Sequence, residues 1–460
     1  MKSSIEYNRI RIPRVATLFL GVLFGVIISI SCSENEQSDS QSSLQPTNDS
    51  AVFLNQDADS LADQIAVSNS ALEINTTNYV SRSEQPVTIQ QSSIGLKLGG
   101  RVEGVALSMV AEVSAASLDD AILQATDIEL KEQKAYVSYN MAGDRFSGAI
   151  QVISTKSNES PYVLAELIFE DIDVNAVYID GNVLYAVGAA DPATRAFSTP
   201  AVLIIIDLKQ GIPETSITMV DIPSYAGTDV LTGSAHVFAT VGTDNGGLVR
   251  ISKTNPSSFD KSIDFYAIDD ARSLALESNR VCVLKGTEGQ ATFFDANALT
   301  QASSLADVTA SRTVSFSGTA TIPYSKSTVE MISNVTLMAL GDGGIKAILS
   351  DGTSTSPTPL FEIPQLTGVT GLSDTVTVTN AASVYKDLLF RANGEAGVDL
   401  YKLSTSLQSN ISAGDTLTPS WIGSLSFERL ASANGLYYRL GWLFVADGLG
   451  GMKIVLVDQL

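Results

Sequence analysis

Short apolar runs separated by glycine-rich turns dominate the pattern of this chain. The clearest example closes it: residues 443–446 read as a buried strand, Gly448, Gly450 and Gly451 as a tight turn, and 452–457 as a second buried strand. A hairpin by itself is marginal in water, so this one needs neighbours. The same grammar recurs upstream as a degenerate repeat. Aligning the copies gives the anchors Tyr136, Tyr185, Phe238, Cys282, Leu337, Phe390 and Phe444, which by subtraction lie 49, 53, 44, 55, 53 and 54 residues apart. Each period accommodates one four-stranded antiparallel unit. Segments just ahead of several anchors (126–130, 176–179, 273–276 and 435–438) read as further strands.

Residues 202–206 are apolar at every position instead of alternating, so both faces of that strand must be covered. A two-sheet sandwich would alternate more cleanly. A propeller covers both faces of each blade with its neighbours, so the expected class is an all-β, seven-bladed β-propeller of four-stranded blades. The last repeat stops without its fourth strand. A ring closes without an open edge when the N-terminal part supplies it, and residues 97–113 are expected to pair with 452–457. Helical periodicity is scarce, with 116–124 the best candidate.

The N-terminus reads differently. Basic residues precede an apolar run from Val15 to Ile30, which at sixteen residues is short for a span. Residues 1–31 are therefore expected to be an export signal, 32–90 a disordered tether rich in Ser, Asn, Gln and Asp, and 91–460 the propeller. Asp57, Asp59 and Asp63 hint at calcium, but they lack the turn glycine and terminal Glu of a calcium loop. The solvated tether is the preferred reading.

Net charge is −22, from 28 basic and 50 acidic residues. Such a surface repels phosphate backbones, so nucleic acid is not an expected partner. Cys32 and Cys282 are the only cysteines, which excludes a disulfide framework. Cys282 sits in an apolar strand, where a thiol packs as a small hydrophobe.

Two resemblances follow from particular residues. Ser29, Ile30, Ser31 and Cys32 resemble a bacterial lipoprotein signal, with Ser29 where that family prefers Leu. This implies acylation of Cys32 and a stable membrane anchor. Ser33-Glu34-Asn35-Glu36 resembles the surface-export signal of Bacteroidota lipoproteins, which implies a lipid-anchored, surface-exposed place on the outer membrane. Leu443-Phe444-Val445-Ala446-Asp447-Gly448 followed by Gly451-Met452-Lys453-Ile454-Val455 is similar to the LVIVD-repeat proteins, bacterial β-propellers that are usually exported. That resemblance implies a fold more than a function.

The candidate chemistry is thin. His236 is the only histidine, so a zinc site with several His ligands is excluded and a Ser-His-Asp triad would depend on this residue. It opens an apolar strand and is expected to be structural. Ser258-Phe259-Asp260-Lys261 and Ser383-Val384-Tyr385-Lys386 fit Ser-x-x-Lys without a helix to carry them. Trp421, Trp442, Tyr437 and Tyr438 are candidates for a sugar-stacking platform, with core packing the commoner fate of such residues. The long connections 310–328 and 407–419 are the expected carriers of binding. No cofactor and no metal site are expected. The leading expectation is a lipid-anchored, cell-surface or periplasm-facing propeller that acts as a non-enzymatic binding or scaffold module for a protein or glycan. The alternative is a glycan-active hydrolase or lyase using carboxylates at the propeller mouth.

Overall fold

The computed structural model describes residues 44–76, 102–156, 160–242, 245–256, 259–286, 288–316, 325–427 and 431–459. Strands Gln124–Lys131, Lys134–Asn140, Gly148–Ser154 and Tyr162–Phe169 form blade 1, each pairing antiparallel with the next. Blades 2 to 6 repeat this arrangement over 172–221, 227–267, 271–315, 329–363 and 381–425. Blade 7 begins with Gly435–Arg439, Trp442–Ala446 and Met452–Gln459, and takes its fourth strand, Val105–Val113, from the N-terminal part. The innermost strands pack side by side in sequence order, and that of blade 7 lies beside that of blade 1. The chain is a closed, seven-bladed β-propeller.

All seven anchors fall on the second strand of their blades. The reason is burial: these strands have a neighbour on each edge and a sheet above and below. In Trp442–Ala446, for example, every residue after Trp442 is buried. The ring-closing strand pairs as expected, Val113 opposite Met452 and Leu107 opposite Val457.

The glycine turns of blades 5, 6 and 7 share one geometry. Gly341, Gly394 and Gly448 have φ of +60°, +54° and +52°, and Gly344, Gly397 and Gly451 have +70°, +83° and +73°. A Cβ on Gly451 would stand 2.1 Å from the Val113 carbonyl oxygen, so only glycine fits there. Each turn docks on the neighbouring blade: Gly341 bridges Thr379, Gly394 bridges Ala433, and Gly448 bridges Ala125. The recurring glycine turn, entered through Leu340, Asn393 and Asp447 in the three blades, is thus a blade-to-blade joint.

Two expectations are corrected. The tether expected over 32–90 does not hold for 44–76, which is built into the ring; residues 32–43 and 77–90 lie outside the described residues. Val52–Asn55 extends blade 1 beyond its fourth strand, with Leu44–Pro46 outside it, and Ile65–Leu72 adds a fifth strand to blade 7. Leu44 and Val67 of this segment stay exposed, while Val52, Leu54, Leu61 and Leu72 are buried. They build no core of their own and borrow one from two existing sheet edges, which composition does not reveal. The helix Ala58–Ala62 joins the two strands, and Asp57 caps it by accepting the Asp59 and Ser60 N–H groups. Residues 116–124, the helix candidate, instead contain a two-stranded hairpin, Ser117–Leu118 with Ala121–Ile122, turned by Asp119 and Asp120 at positive φ.

Candidate functional site

In blades 1 to 4 the innermost strand carries a bulge next to its N-terminal end. The extra residues are Thr126, Asn175, Thr228 and Arg272. In blades 6 and 7, Asn380 and Asn434 stand just before the innermost strand, and in blade 5 the matching position is Ser327, ahead of Thr328, which lies opposite Ala339. A bulge re-aims a side chain out of the ladder, and here it serves one repeated purpose. Thr126 Oγ1 donates to the Val174 carbonyl at 3.1 Å, Asn175 Nδ2 to Gly227 at 2.9 Å, and Thr228 Oγ1 to Ala271 at 2.9 Å. Arg272 Nη1 donates to the Ser325 carbonyl, Asn380 Nδ2 to Ala433 at 3.1 Å, and Asn434 Nδ2 to Ala125 at 3.0 Å. In five cases the acceptor immediately precedes the equivalent residue of the next blade, and Arg272 reaches Ser325, two residues before Ser327. These hydrogen bonds form a belt around the channel mouth, each contributing about 1 kcal/mol.

The belt breaks at blade 5. Ser327 Oγ shares a hydrogen bond with Ser325 Oγ at 2.9 Å, and between them stands Lys326. Its backbone N–H donates to Asn380 Oδ1 at 3.0 Å, while Nζ donates to the Thr126 carbonyl at 2.7 Å and to Asp127 Oδ1 at 2.9 Å, both on blade 1. One ammonium therefore bridges two blades that are not neighbours.

The mouth is a cavity of about 350 Å³, lined by Thr126, Asn175, Thr228, Arg272 and Asn434 of the belt and by Lys326, Gln124, Asn140 and Ser325. Hydroxyls and amides dominate its wall, and its two charged lining residues, Arg272 and Lys326, are both cationic. Beneath it lies a channel cavity of about 320 Å³ to which all seven innermost strands contribute. Four carboxylates line that channel: Asp127, Glu129, Asp229 and Glu330. Asp229 is committed to the joint with blade 4, accepting from Ser273 Oγ at 2.7 Å and the Leu274 N–H at 3.0 Å. Burial, followed by the charge of Asp127, pushes its carboxyl up to about 6. Burial pushes Glu129 and Glu330 up to about 8, with the Asp127 charge adding to the effect at Glu129. At pH 7 Glu129 and Glu330 hold protons, because an isolated carboxylate is poorly solvated there.

The expected site residues separate. Cys32 and Ser258 lie outside the described residues. His236 opens its strand, half-buried, its ring 6.2 Å from that of Phe238, and burial lowers its pKa. Ser383 sits in a blade-6 strand and accepts from the Tyr438 N–H at 3.1 Å, so this Ser-x-x-Lys is a joint between blades. The four aromatics do not make one platform. Tyr437 faces the channel, Tyr438 packs on Phe390, and Trp421 and Trp442 lie against separate cores. Of the two long connections, 310–328 brings Ser325 and Lys326 to the mouth, while 407–419 packs inward through Leu407, Ile411 and Leu417. Among the described residues no group of three or more His, Cys, Asp or Glu is placed to hold a metal ion. The belt was missed from sequence, although Thr or Asn near the start of the inner strand in blades 1, 2, 3, 6 and 7 was a readable signal.

No family model matches the chain, and no curated protein matches it. Similar solved structures include a putative 6-phosphogluconolactonase from Bacteroides uniformis, 11% identical over 71% of this chain and 93% of that one, with a TM-score of 0.48. The Dos1 propeller is 12% identical over 78% and 88%, with a TM-score of 0.46. The WD40 β-propeller domain of Doa1 is 10% identical over 75% and 96%, with a TM-score of 0.43. At these values the likenesses add nothing to what the strand order establishes.

Proposed function

We propose that this chain is a non-enzymatic binding module, held on the outer membrane by lipid on Cys32 and facing the cell exterior, that takes a protein- or glycan-borne polar group at its channel mouth. The observation that carries this reading is the mouth itself: a cup of about 350 Å³ walled by hydroxyls, amides and two cations. Pockets of this size with a few convergent polar groups are the usual ligand sites of such scaffolds. The apolar run ahead of Cys32 and the acidic residues after it support the address. Pull-down from outer-membrane extracts, run beside a glycan-binding screen and a turnover assay on the same glycans, tests the reading. The expected result is saturable capture that is lost when the mouth is blocked by Thr228→Trp. Turnover of any glycan overturns it. Intact mass of the exported chain tests the anchor, with an unacylated N-terminus overturning that part alone.

The runner-up, a glycan-active hydrolase or lyase, is favoured by one observation. Glu129 and Glu330 hold protons at neutral pH inside the channel, as a general acid must. Loss of turnover in Glu129→Gln or Glu330→Gln would support it.

A further inference from the structure

One flank of the mouth is unlike the rest. Most polar side chains of the belt are committed to the joints between blades, but on the blade-1 wall two are not. Gln124 and Asn140 stand opposite each other on neighbouring strands, and both line the cup. Asn140 Nδ2 donates to Asn175 Oδ1 at 2.9 Å, and Asn175 Nδ2 donates in turn to the Gly227 carbonyl. Among the described residues the Gln124 amide and Asn140 Oδ1 have no hydrogen-bond partner. The charged groups of the mouth are already taken, Arg272 by Asp270 and Lys326 by Asp127. What this wall leaves open to a ligand is therefore polar and uncharged.

The same flank carries exposed aromatic surface. Phe146 lies in the connection 141–147, which follows Asn140. One oxygen pins both ends of that connection: Asp173 Oδ1 accepts the Met141 N–H at 2.9 Å and the Ser147 N–H at 3.2 Å. Tyr225 stands two residues ahead of Gly227, at the mouth end of blade 3. Its ring lies 6.1 Å from that of half-buried Phe146, tilted by 48°, and the residue is 55% exposed. Aromatic surface kept in water beside open amides suits a ligand with one apolar and one polar side.

A pyranose is such a ligand. Its C–H groups make a face of the ring apolar. Its hydroxyls line the edge as donors and acceptors, which an amide matches with its own N–H and C=O groups. Charge selects further. At a net charge of −22 the protein repels anionic sugars, and both cations lining the mouth are paired.

We infer that the mouth binds an uncharged, hexose-terminated glycan, with the C–H face of the sugar on Tyr225 and Phe146 and its hydroxyls on Gln124 and Asn140. This rests on the mouth-binding reading above and chooses the glycan over the protein.

The full chain, applied over a range of concentrations to an array of neutral hexose-terminated glycans and their sialylated counterparts, tests it. Tyr225→Ala and Gln124→Ala accompany the wild type. Tyr162→Ala serves as control, because it removes an exposed tyrosine at the end of blade 1 away from the mouth. The expected result is saturable binding of neutral glycans, no tighter binding of any sialylated counterpart, and the same affinity at low and high salt. Tyr225→Ala and Gln124→Ala are each expected to weaken that binding roughly fivefold, the scale of one aromatic contact or one hydrogen bond. Tyr162→Ala is expected to leave it unchanged. Tyr225 is exposed, so its removal does not threaten the fold. Absence of neutral-glycan binding overturns the inference, as does a preference for the sialylated glycans. Affinity that either site variant leaves unchanged, or that Tyr162→Ala lowers equally, overturns it too. The mouth-binding reading fails or stands separately: outer-membrane capture that Thr228→Trp abolishes and Tyr225→Ala leaves intact keeps the mouth and rejects the glycan.

Discussion

Blade 6 and blade 7 carry the same inner three strands and the same glycine turn, but they are completed in opposite ways. Blade 6 is contiguous, and its fourth strand, Pro419–Leu425, follows its third along the chain. Blade 7 pairs Met452–Gln459 with a strand from the far end of the sequence; across that pairing Lys453 Nζ meets Glu112 at 3.0 Å, 341 residues away. A contiguous blade closes through short loops. The seam must close one loop as long as the propeller, an added entropy that grows only slowly with length. The chain reinforces the seam heavily. A fifth strand covers Val105–Val113, and Gln64 donates to Glu166 and accepts from Gln151, tying the segment to blade 1. Asn48 exchanges two hydrogen bonds with Ile217 of blade 2, and Arg195 pairs with both Asp49 and Asp171. The 44–76 segment therefore clasps blades 7, 1 and 2 together. A ring built of repeats is no stronger than its one discontinuous joint, and the 44–76 segment adds long-range contacts there.

The largest expected effect breaks that joint. A chain beginning after residue 113 leaves the Met452–Gln459 edge open and is expected to aggregate without a cooperative melt. A chain beginning at residue 77 keeps Val105–Val113 and loses the clasp. It is expected to fold with stability reduced by roughly 2–5 kcal/mol, set by the burial of Val52, Leu54, Leu61 and Leu72 less the entropy of ordering the segment. Chemical denaturation measures the difference; equal stability would show that the clasp is decorative.

Next in size is a break inside the contiguous blade. Arg391 and Asp399 form an ion pair on neighbouring blade-6 strands, Nε at 3.1 Å from Oδ2, with both side chains almost wholly buried. Asp399→Ala strands a buried guanidinium and is expected to lose about 3–5 kcal/mol. If blade 6 and the seam are one cooperative unit, the whole ring melts in one transition at a lower temperature. A separate early transition would mean that the contiguous blades melt by themselves.

The most gradual effect lies on the channel axis, which both regions share. The folded-state pKa of Glu330 is raised by burial to about 8 from an ordinary 4.5. Between those values the folded chain binds more protons than the unfolded one, so this group's contribution to stability falls as pH rises from about 4.5 to about 8. The slope is at most about 1.4 kcal/mol per pH unit. Glu330→Gln cannot ionise and is expected to flatten the stability profile in that window. Melting temperatures across pH 5 to 8 check this, and an unchanged slope would place the dependence elsewhere.

The blade grammar was legible because it is local. Phe390 and Phe444 announce their strands through apolar neighbours, and Gly394 and Gly448 announce turns through a backbone that other residues adopt poorly. The closing strand was legible by subtraction, from the blade that lacks a fourth member. Val52 and Leu54 were not legible as core, because two apolar residues in a polar segment look unable to order themselves. Asp119 and Asp120 turned a hairpin where periodicity pointed to a helix.

By itself the sequence determined the unit: seven copies of four antiparallel strands, with a glycine joint in the last three, each set by side-chain burial within some 50 residues. Only the tertiary structure decided the mouth and the clasp. The mouth is made of one residue from each of several repeats, and those residues meet only once the ring has closed around its axis. The clasp depends on sheet edges that do not exist until the blades they complete have folded.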